Sequence, residues 1–418
     1  MNLNALQENQ HVVIIGGGPG GTGCALALHR MAAQAGRSIR ITVLEGKHFS
    51  GEQHYNQCAG VISPPLPELM KQYLDVPFPE HLARVWIRDY VLHAAGKTLI
   101  LSGHGAPSVA LRRVQFDSWM LETVRQRGIT IQQARAVDLE FHADRVVIYT
   151  ENAPLEADVV VGAFGLDEGS GALFHRQVGY QAPATLSSVV TKYHPGDAGM
   201  QAIGERIHAF LPRDPRIEFG AVTPKGNHLT INIAGRRVDA DLMQSFLHDP
   251  QVLAVLPNLD TQHQTDDLRF FKGRFPCSLA KHFYGDRYVM IGDAAGLVRA
   301  FKGKGVTSAI LTGIRAAETI LNHGLSQAAF EAHYRTANMD IIRDLPYGQI
   351  MRHLTIFATH YGLFGAVMRA AQHNPTLQQA LFDAVSAHAP YIEIIGRIFR
   401  PTVSGAILRA FVSPGSSG

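Results

Sequence analysis

Several scarcities in this chain exclude functions before any motif is read. Cysteine occurs three times in 418 residues. Cys24, Cys58 and Cys277 stand far apart with no C-x-x-C pair, which argues against a disulfide framework or a cysteine zinc site and fits a reducing compartment. Charge of one sign is also scarce. Lys and Arg number 38 against 35 Asp and Glu, for a net charge of +3, and no basic block concentrates it. No nucleic-acid-binding face is expected. No unbroken apolar run approaches the ~20 residues that cross a bilayer. The opening MNLNALQENQ lacks the basic and apolar regions of a signal peptide, so a cytoplasmic protein is expected. The 21 histidines are scattered, and no metal is expected. No internal repeat or low-complexity segment stands out. At 46% hydrophobic and 17% charged, the chain can fill the cores of two or three domains.

Glycine is plentiful, and its placement is informative. HVVIIG reads as a short, β-branched, buried parallel strand ended by glycine. Gly16, Gly18 and Gly21 then fit G-x-G-x-x-G, with Pro19 and Gly20 in the same loop. The first glycine permits a tight turn, the second lets a pyrophosphate approach the backbone, and the third lets the next helix pack on the strand. GTGCALALHRMAAQAG predicts that helix, whose N-terminus offers free N–H groups to an anion and which Gly36 can stop. SIRITVLE predicts a second strand ending in Glu45, a carboxylate able to accept from a ribose diol. Together these elements predict a dinucleotide site, open to NAD or FAD.

GDRYVMIGDAAGLV, residues 285–298, predicts another strand ending at a glycine–acid pair. It resembles the second FAD motif of flavoproteins related to aromatic hydroxylases, flavin halogenases and geranylgeranyl reductases. The resemblance implies that Asp293 binds a ribityl hydroxyl of FAD. FKGKGVTSAILTGIRAAETIL resembles the family's glycine loop and long helix, with Gly303 and Gly305 meeting the flavin ring. LRRVQFDSWML resembles its R-x-x-F-D-x-x-L segment, which implies that Arg113 lies near the FAD phosphates. Phe116, Trp119 and Leu121 in that segment read as helix core. ITIQQARAVDLE resembles the next strand, with backbone around Ala136 flanking the adenine end.

Two stretches bear on the branch of this superfamily. RIEFGAVTPKGNHLTINIAG, residues 216–235, alternates like two strands joined by a PKGN turn. It partly resembles the geranylgeranyl reductase segment Y-x-W-x-F-P. Phe219, Ala221 and Thr223 replace the three aromatics that line a lipid pocket, and Pro224 is kept. NQCAGVISP resembles the reductases' cysteine–glycine segment, which implies that Cys58 lies close to the flavin as a candidate catalytic residue. A pairing of Cys58 with Cys277 stays open. In ADVVVGAFGLDEGS, Phe164 occupies the place of the family's A-D-G aspartate, which puts direct reduction by NADPH in doubt, with compensation by Asp167 or Glu168 left open. With tryptophan only at positions 86 and 119, the halogenase motif W-x-W-x-I-P is absent.

The expected fold is α/β: a discontinuous Rossmann-type FAD-binding domain (residues 1–62, 106–176 and 272–325), an inserted antiparallel-sheet substrate domain (63–105 and 177–271) and a helical C-terminal region (326–418). VWIRDYVLHAAGKTLIL and EFGAVTPKGNHLTINIA suit the strands of the inserted sheet. The resemblance implies an FAD-dependent oxidoreductase, geranylgeranyl reductase-like, moving hydride between reduced flavin and an apolar substrate such as a prenyl chain. A flavin monooxygenase and a non-catalytic FAD-binding protein are the alternatives. The electron donor stays open between NAD(P)H and a ferredoxin, with an electron-transfer partner and a peripheral membrane contact through the C-terminal helices both conceivable.

Overall fold

The first strand forms over His11–Ile15, all five residues buried. It sits inside a six-stranded sheet in a computed structural model that describes residues 3–47, 58–103, 105–259, 268–298 and 305–412. On one side of it runs Arg40–Leu44 and then Thr130–Gln132; on the other run Val159–Gly162 and Tyr288–Met290, all parallel. In chain order this is 3-2-1-4-5, the doubly wound arrangement with its switch point beside the first strand. Tyr284–Gly285 adds a short antiparallel edge.

The helix Pro19–Gln34 follows the glycine loop, and Gly36 ends it at φ +64°. It lies against the helix Gly305–Asn322 through small residues. A Cβ on Gly313 would sit 2.7 Å from Gly20 O, and one on Gly23 would touch Ile310 at 3.2 Å. Close approach of the two helices therefore requires glycine at the crossing, and overpacking there costs about 1–3 kcal/mol.

A second, seven-stranded sheet is built from both intervening stretches together with Phe271–Pro276, which falls at the start of the expected last FAD-domain segment. Its order is Phe271–Pro276, Thr185–Tyr193, Leu229–Gly235, Phe219–Pro224, Arg206–Leu211, Asp89–Ala94 and Lys97–Ser102. One face packs Val189, Ile231 and Ile233 against Met243 and Phe246 of the helix Ala240–Leu247. Part of the other face, around Tyr90, Leu92 and Ala209, is covered by Phe364, Met368 and Phe382 of the C-terminal helices. A buried ion pair, Arg352 Nε to Glu218 Oε2 at 2.5 Å, ties the long helix Met339–His360 to this sheet.

Two expectations are corrected. The sheet is mixed, because Arg206–Leu211 runs parallel to Asp89–Ala94. These strands come from separate stretches of chain, so no hairpin dictates an antiparallel pairing. VWIRDYVLHAAGKTLIL is also divided between two sheets. Its first part, Ala83–Ile87, pairs with Ser108–Leu111 in a small sheet completed by Val61–Ile62. The C-terminal region is helical as expected, and among the described residues no helix is long and apolar enough to cross a membrane.

Candidate functional site

The carboxyl ends of four parallel strands open onto one cavity of about 560 Å³, lined there by Ile15, Leu44, Ala163 and Ile291. That volume is within the ~300–1,000 Å³ of small-molecule and cofactor sites, and the position is the switch point where doubly wound sheets bind ligands. Gly18 caps the helix Pro19–Gln34 with extended backbone, and Pro19 occupies its first turn, where a missing N–H costs nothing. Gly16, Gly18, Pro19 and Gly20 line the cavity. Each glycine has its own reason. Gly16 adopts φ +113°, and its Cβ would lie 2.4 Å from Ala163 O. Gly21 lies behind the cavity wall, where a Cβ would meet Gly16 O at 1.9 Å. Gly18 differs: a Cβ there meets nothing within 4 Å.

Glu45 is buried at the end of the second strand. Its carboxylate accepts from Gly17 N at 2.8 Å and from Lys47 N at 2.7 Å, and so pins the glycine loop to the next strand. Arg135 packs beside it over Gly46, and Lys47, Arg135 and Ala136 continue the wall. A second group gathers Arg113, Asp293 and Gly305. Arg113, at the start of the helix Arg113–Gln126, donates to both oxygens of buried Asp117, one turn on, at 3.0 and 3.2 Å. Burial opposes the Arg113 charge, but Asp117, Cys58 and Asp293 outweigh it and hold the guanidinium firmly protonated. Burial pushes the Asp293 carboxyl up from the usual range, and Arg113 partly offsets this. Arg113 Nη1 lies 4.0 Å from Cys58 Sγ, so the thiol borders this group.

The residues expected from sequence are thus largely brought together. Gly16, Gly18, Pro19, Gly20, Glu45, Arg113, Ala136, Asp293 and Gly305 line the cavity, Gly21 packs behind it, and Cys58 adjoins it. Gly303 lies outside the described residues. All three cysteines are free; Cys277 neighbours Arg352 and Glu218 rather than Cys58. Phe164 also lines the cavity, stacked on Phe174 at 5.6 Å and edge-on to Tyr180 at 5.9 Å. The wall there is aromatic where the resembling family has a carboxylate. Among residues not singled out, Asp117 was readable from its four-residue spacing to Arg113. Lys47 and Arg135 carried no local signal.

The donor set suits a flavin dinucleotide on structural grounds. Two helix N-termini, Pro19–Gln34 and Gly305–Asn322, face one cavity that also holds an arginine, and Gly18 leaves open the space a diphosphate requires.

No protein-family model matches the chain. A digeranylgeranylglycerophospholipid reductase of Methanoculleus marisnigri is 26% identical over 365 residues, covering 82% of this chain and 86% of that protein. Protein FixC of Azorhizobium caulinodans is 22% identical over 405 residues, covering 87% and 90%. A Schizosaccharomyces pombe protein named "Probable electron transfer flavoprotein-ubiquinone oxidoreductase, mitochondrial" is 27% identical over 194 residues; that match covers 43% of this chain and 28% of the yeast protein. Among solved structures, a geranylgeranyl bacteriochlorophyll reductase-like protein from Thermoplasma acidophilum superposes with a TM-score of 0.65 at 15% identity, over 98% of this chain and 97% of that one. The p-nitrophenol 4-monooxygenase of Pseudomonas putida gives a TM-score of 0.64 at 16% identity, over 90% and 97%. With a doubly wound core, an inserted sheet and a glycine cradle of this kind, the chain shares the fold of geranylgeranyl reductase-like proteins and flavin monooxygenases and is similar in sequence to FAD-dependent oxidoreductases.

Proposed function

We propose that the chain binds FAD in the cavity and acts as a geranylgeranyl reductase-like oxidoreductase on a substrate held between the flavin and the seven-stranded sheet. The observation that carries this reading is the convergence of two helix N-termini, Glu45, Arg113 and Asp293 on a single cavity at the strand switch point. In this reading the N–H groups after Gly18 hold the diphosphate, and Arg113 adds a fixed positive charge. Glu45 accepts from the ribose, and Asp293 meets a ribityl hydroxyl. A flavin bound there supplies two-electron chemistry as hydride exchange. Cys58 Sγ, beside Arg113, carries the accompanying proton. The seven-stranded sheet and the C-terminal helices exclude water from the substrate.

Phe164 at the place of the hydroxylases' aspartate speaks for a protein electron donor over a nicotinamide, against the alternative that Asp167, which lines the same cavity, takes the aspartate's part. The cytoplasm suits its three free thiols. The test is anaerobic reduction of the purified yellow protein by NADH, NADPH and a reduced ferredoxin in turn. Bleaching by ferredoxin alone supports the reading of Phe164, and rapid bleaching by either nicotinamide overturns it. A folded protein that stays colourless and takes up no added FAD overturns the whole proposal.

A further inference from the structure

The inference rests on the reading of the cavity as the flavin site and deepens it by naming what the substrate must carry. In antiparallel pairs, opposite residues share a face and alternate along each strand. The face opposite Val189, Ile231 and Ile233 can therefore be laid out by register. Ala221 stands across from Asn232, and two residues on, Thr223 and Lys192 flank Thr230. At the turn beyond, Lys225 N donates to His228 O at 2.8 Å. This face looks toward residues 58–62: Lys225 Nζ donates to Cys58 O at 3.1 Å, and a Cβ on Gly60 would sit 2.7 Å from that nitrogen.

The face thus changes from apolar at Phe219 and Ala221 to cationic at Lys192 and Lys225. Lys225 is only 6% exposed. An ammonium has three donors, and the Cys58 carbonyl takes one. The cations acting on it, in order, are Lys192, Arg113 and Arg112, while the Cys58 sulfur acts in the opposite sense; among the described residues no carboxylate is in that set. Burial and these cations lower its pKa from 10.5 to about 8. Thr230 Oγ1 is buried with no hydrogen-bond partner among the described residues, and Asn232 Oδ1 is in the same position. Buried lysines are ordinarily paired, and buried hydroxyls are ordinarily bonded. Both exceptions fall on one patch beside Cys58.

We propose that this patch is an anion subsite, in which Lys225, Lys192 and Thr230 receive a carboxylate or phosphate of the substrate while its apolar part lies toward Phe219 and Ala221. The substrate is then amphipathic rather than wholly apolar.

The test is isothermal titration of the flavin-loaded protein with decanoate, decyl phosphate and decanol. At least one acid should bind roughly tenfold to a hundredfold tighter than decanol, the increment expected of hydrogen bonds to a charged partner. The ranking of the two acids tells carboxylate from phosphate. Lys225→Met and Lys192→Met should each remove most of the preference with flavin content unchanged. Should Lys225→Met fail to fold, Lys192→Met and Thr230→Val carry the same test. Equal binding of decanol, no binding of either acid, or a preference that survives the lysine variants overturns the subsite and leaves the proposed function standing. A wild-type protein that refuses flavin overturns the proposed function instead, and the same titrations on it still decide the subsite.

Discussion

Substituting Gly18 by valine separates a glycine kept for a ligand from one kept for the fold. Gly18 has φ −72° and ψ −175°, extended backbone that any residue adopts, and a Cβ there meets nothing within 4 Å. Folding alone has little use for a glycine at this point. Loss of an acceptable N-cap costs at most about 1 kcal/mol, and a stiffer unfolded chain returns about 0.4–1 kcal/mol of it. The flavin-free variant should therefore unfold in urea within about 1 kcal/mol of the flavin-free wild type. The branched side chain nevertheless projects into the cavity at the start of the helix Pro19–Gln34, where the proposed diphosphate would touch the backbone. Wild type at a hundredfold excess of FAD over its dissociation constant gains about 2.7 kcal/mol, and the variant should gain none. The assays are flavin per chain after purification and urea unfolding with and without FAD. Gly21→Ala is the contrasting control. Its Cβ would lie 1.9 Å from Gly16 O, a backbone atom that cannot yield locally, so stability should fall by about 1–3 kcal/mol or more even without flavin. A Gly18→Val protein that purifies with full flavin would refute the cradle.

Three further outcomes are expected. Arg352→Leu strands the buried Glu218 carboxylate and should cost about 3–5 kcal/mol in urea unfolding. Pairing it with Glu218→Leu should recover much of that loss, and a double-variant loss equal to the sum of the two single losses would show that the pair is not coupled. Affinity for an acidic probe should depend on pH through Lys225. Its charge is present below about 8 and lost as pH rises through that value, so affinity should hold below pH 8 and decline above it. Cys58, Arg112, Arg113, Lys192 and His228 face the same patch; burial keeps His228 neutral, its pKa lowered to about 3. Lys225→Arg should carry the affinity above pH 8, and a wild-type decline starting far below that value would assign the effect to another group. Cys58→Ala should retain flavin while slowing turnover by about 10²–10⁴-fold if its thiol moves the proton; unchanged kinetics would reduce Cys58 to packing.

Comparison of the glycine cradle with the anion patch explains why one was legible in the sequence and the other was not. Every demand on the cradle is local. A strand must end, a turn must be tight, and a helix must start within a few residues, so Gly16, Gly18 and Gly21 announce themselves by spacing. Glu45 follows from the strand after it. Asp293 and Arg113 needed the added resemblance, because one follows a strand that pairs with Val159–Gly162, more than a hundred residues earlier, and the other starts a helix from a separate stretch of chain. The two halves of the second sheet were less legible still. Nothing in Asp89–Ala94 shows that it will run parallel to Arg206–Leu211, since no turn joins them. Lys225 is the sharpest case. Within its own hairpin it is an ordinary turn lysine, and a turn lysine is read as solvated. It is buried because residues 58–62, 167 positions away at Cys58, close over it where Gly60 has no side chain to prevent contact. The same turn therefore has two descriptions: locally it ends a strand, and tertiary contact converts its lysine into a desolvated charge. Backbone requirements are written residue by residue, whereas an electrostatic site is written by the distance between segments. That difference places the cofactor cradle within reach of motif reading and leaves substrate chemistry to the packed sheet.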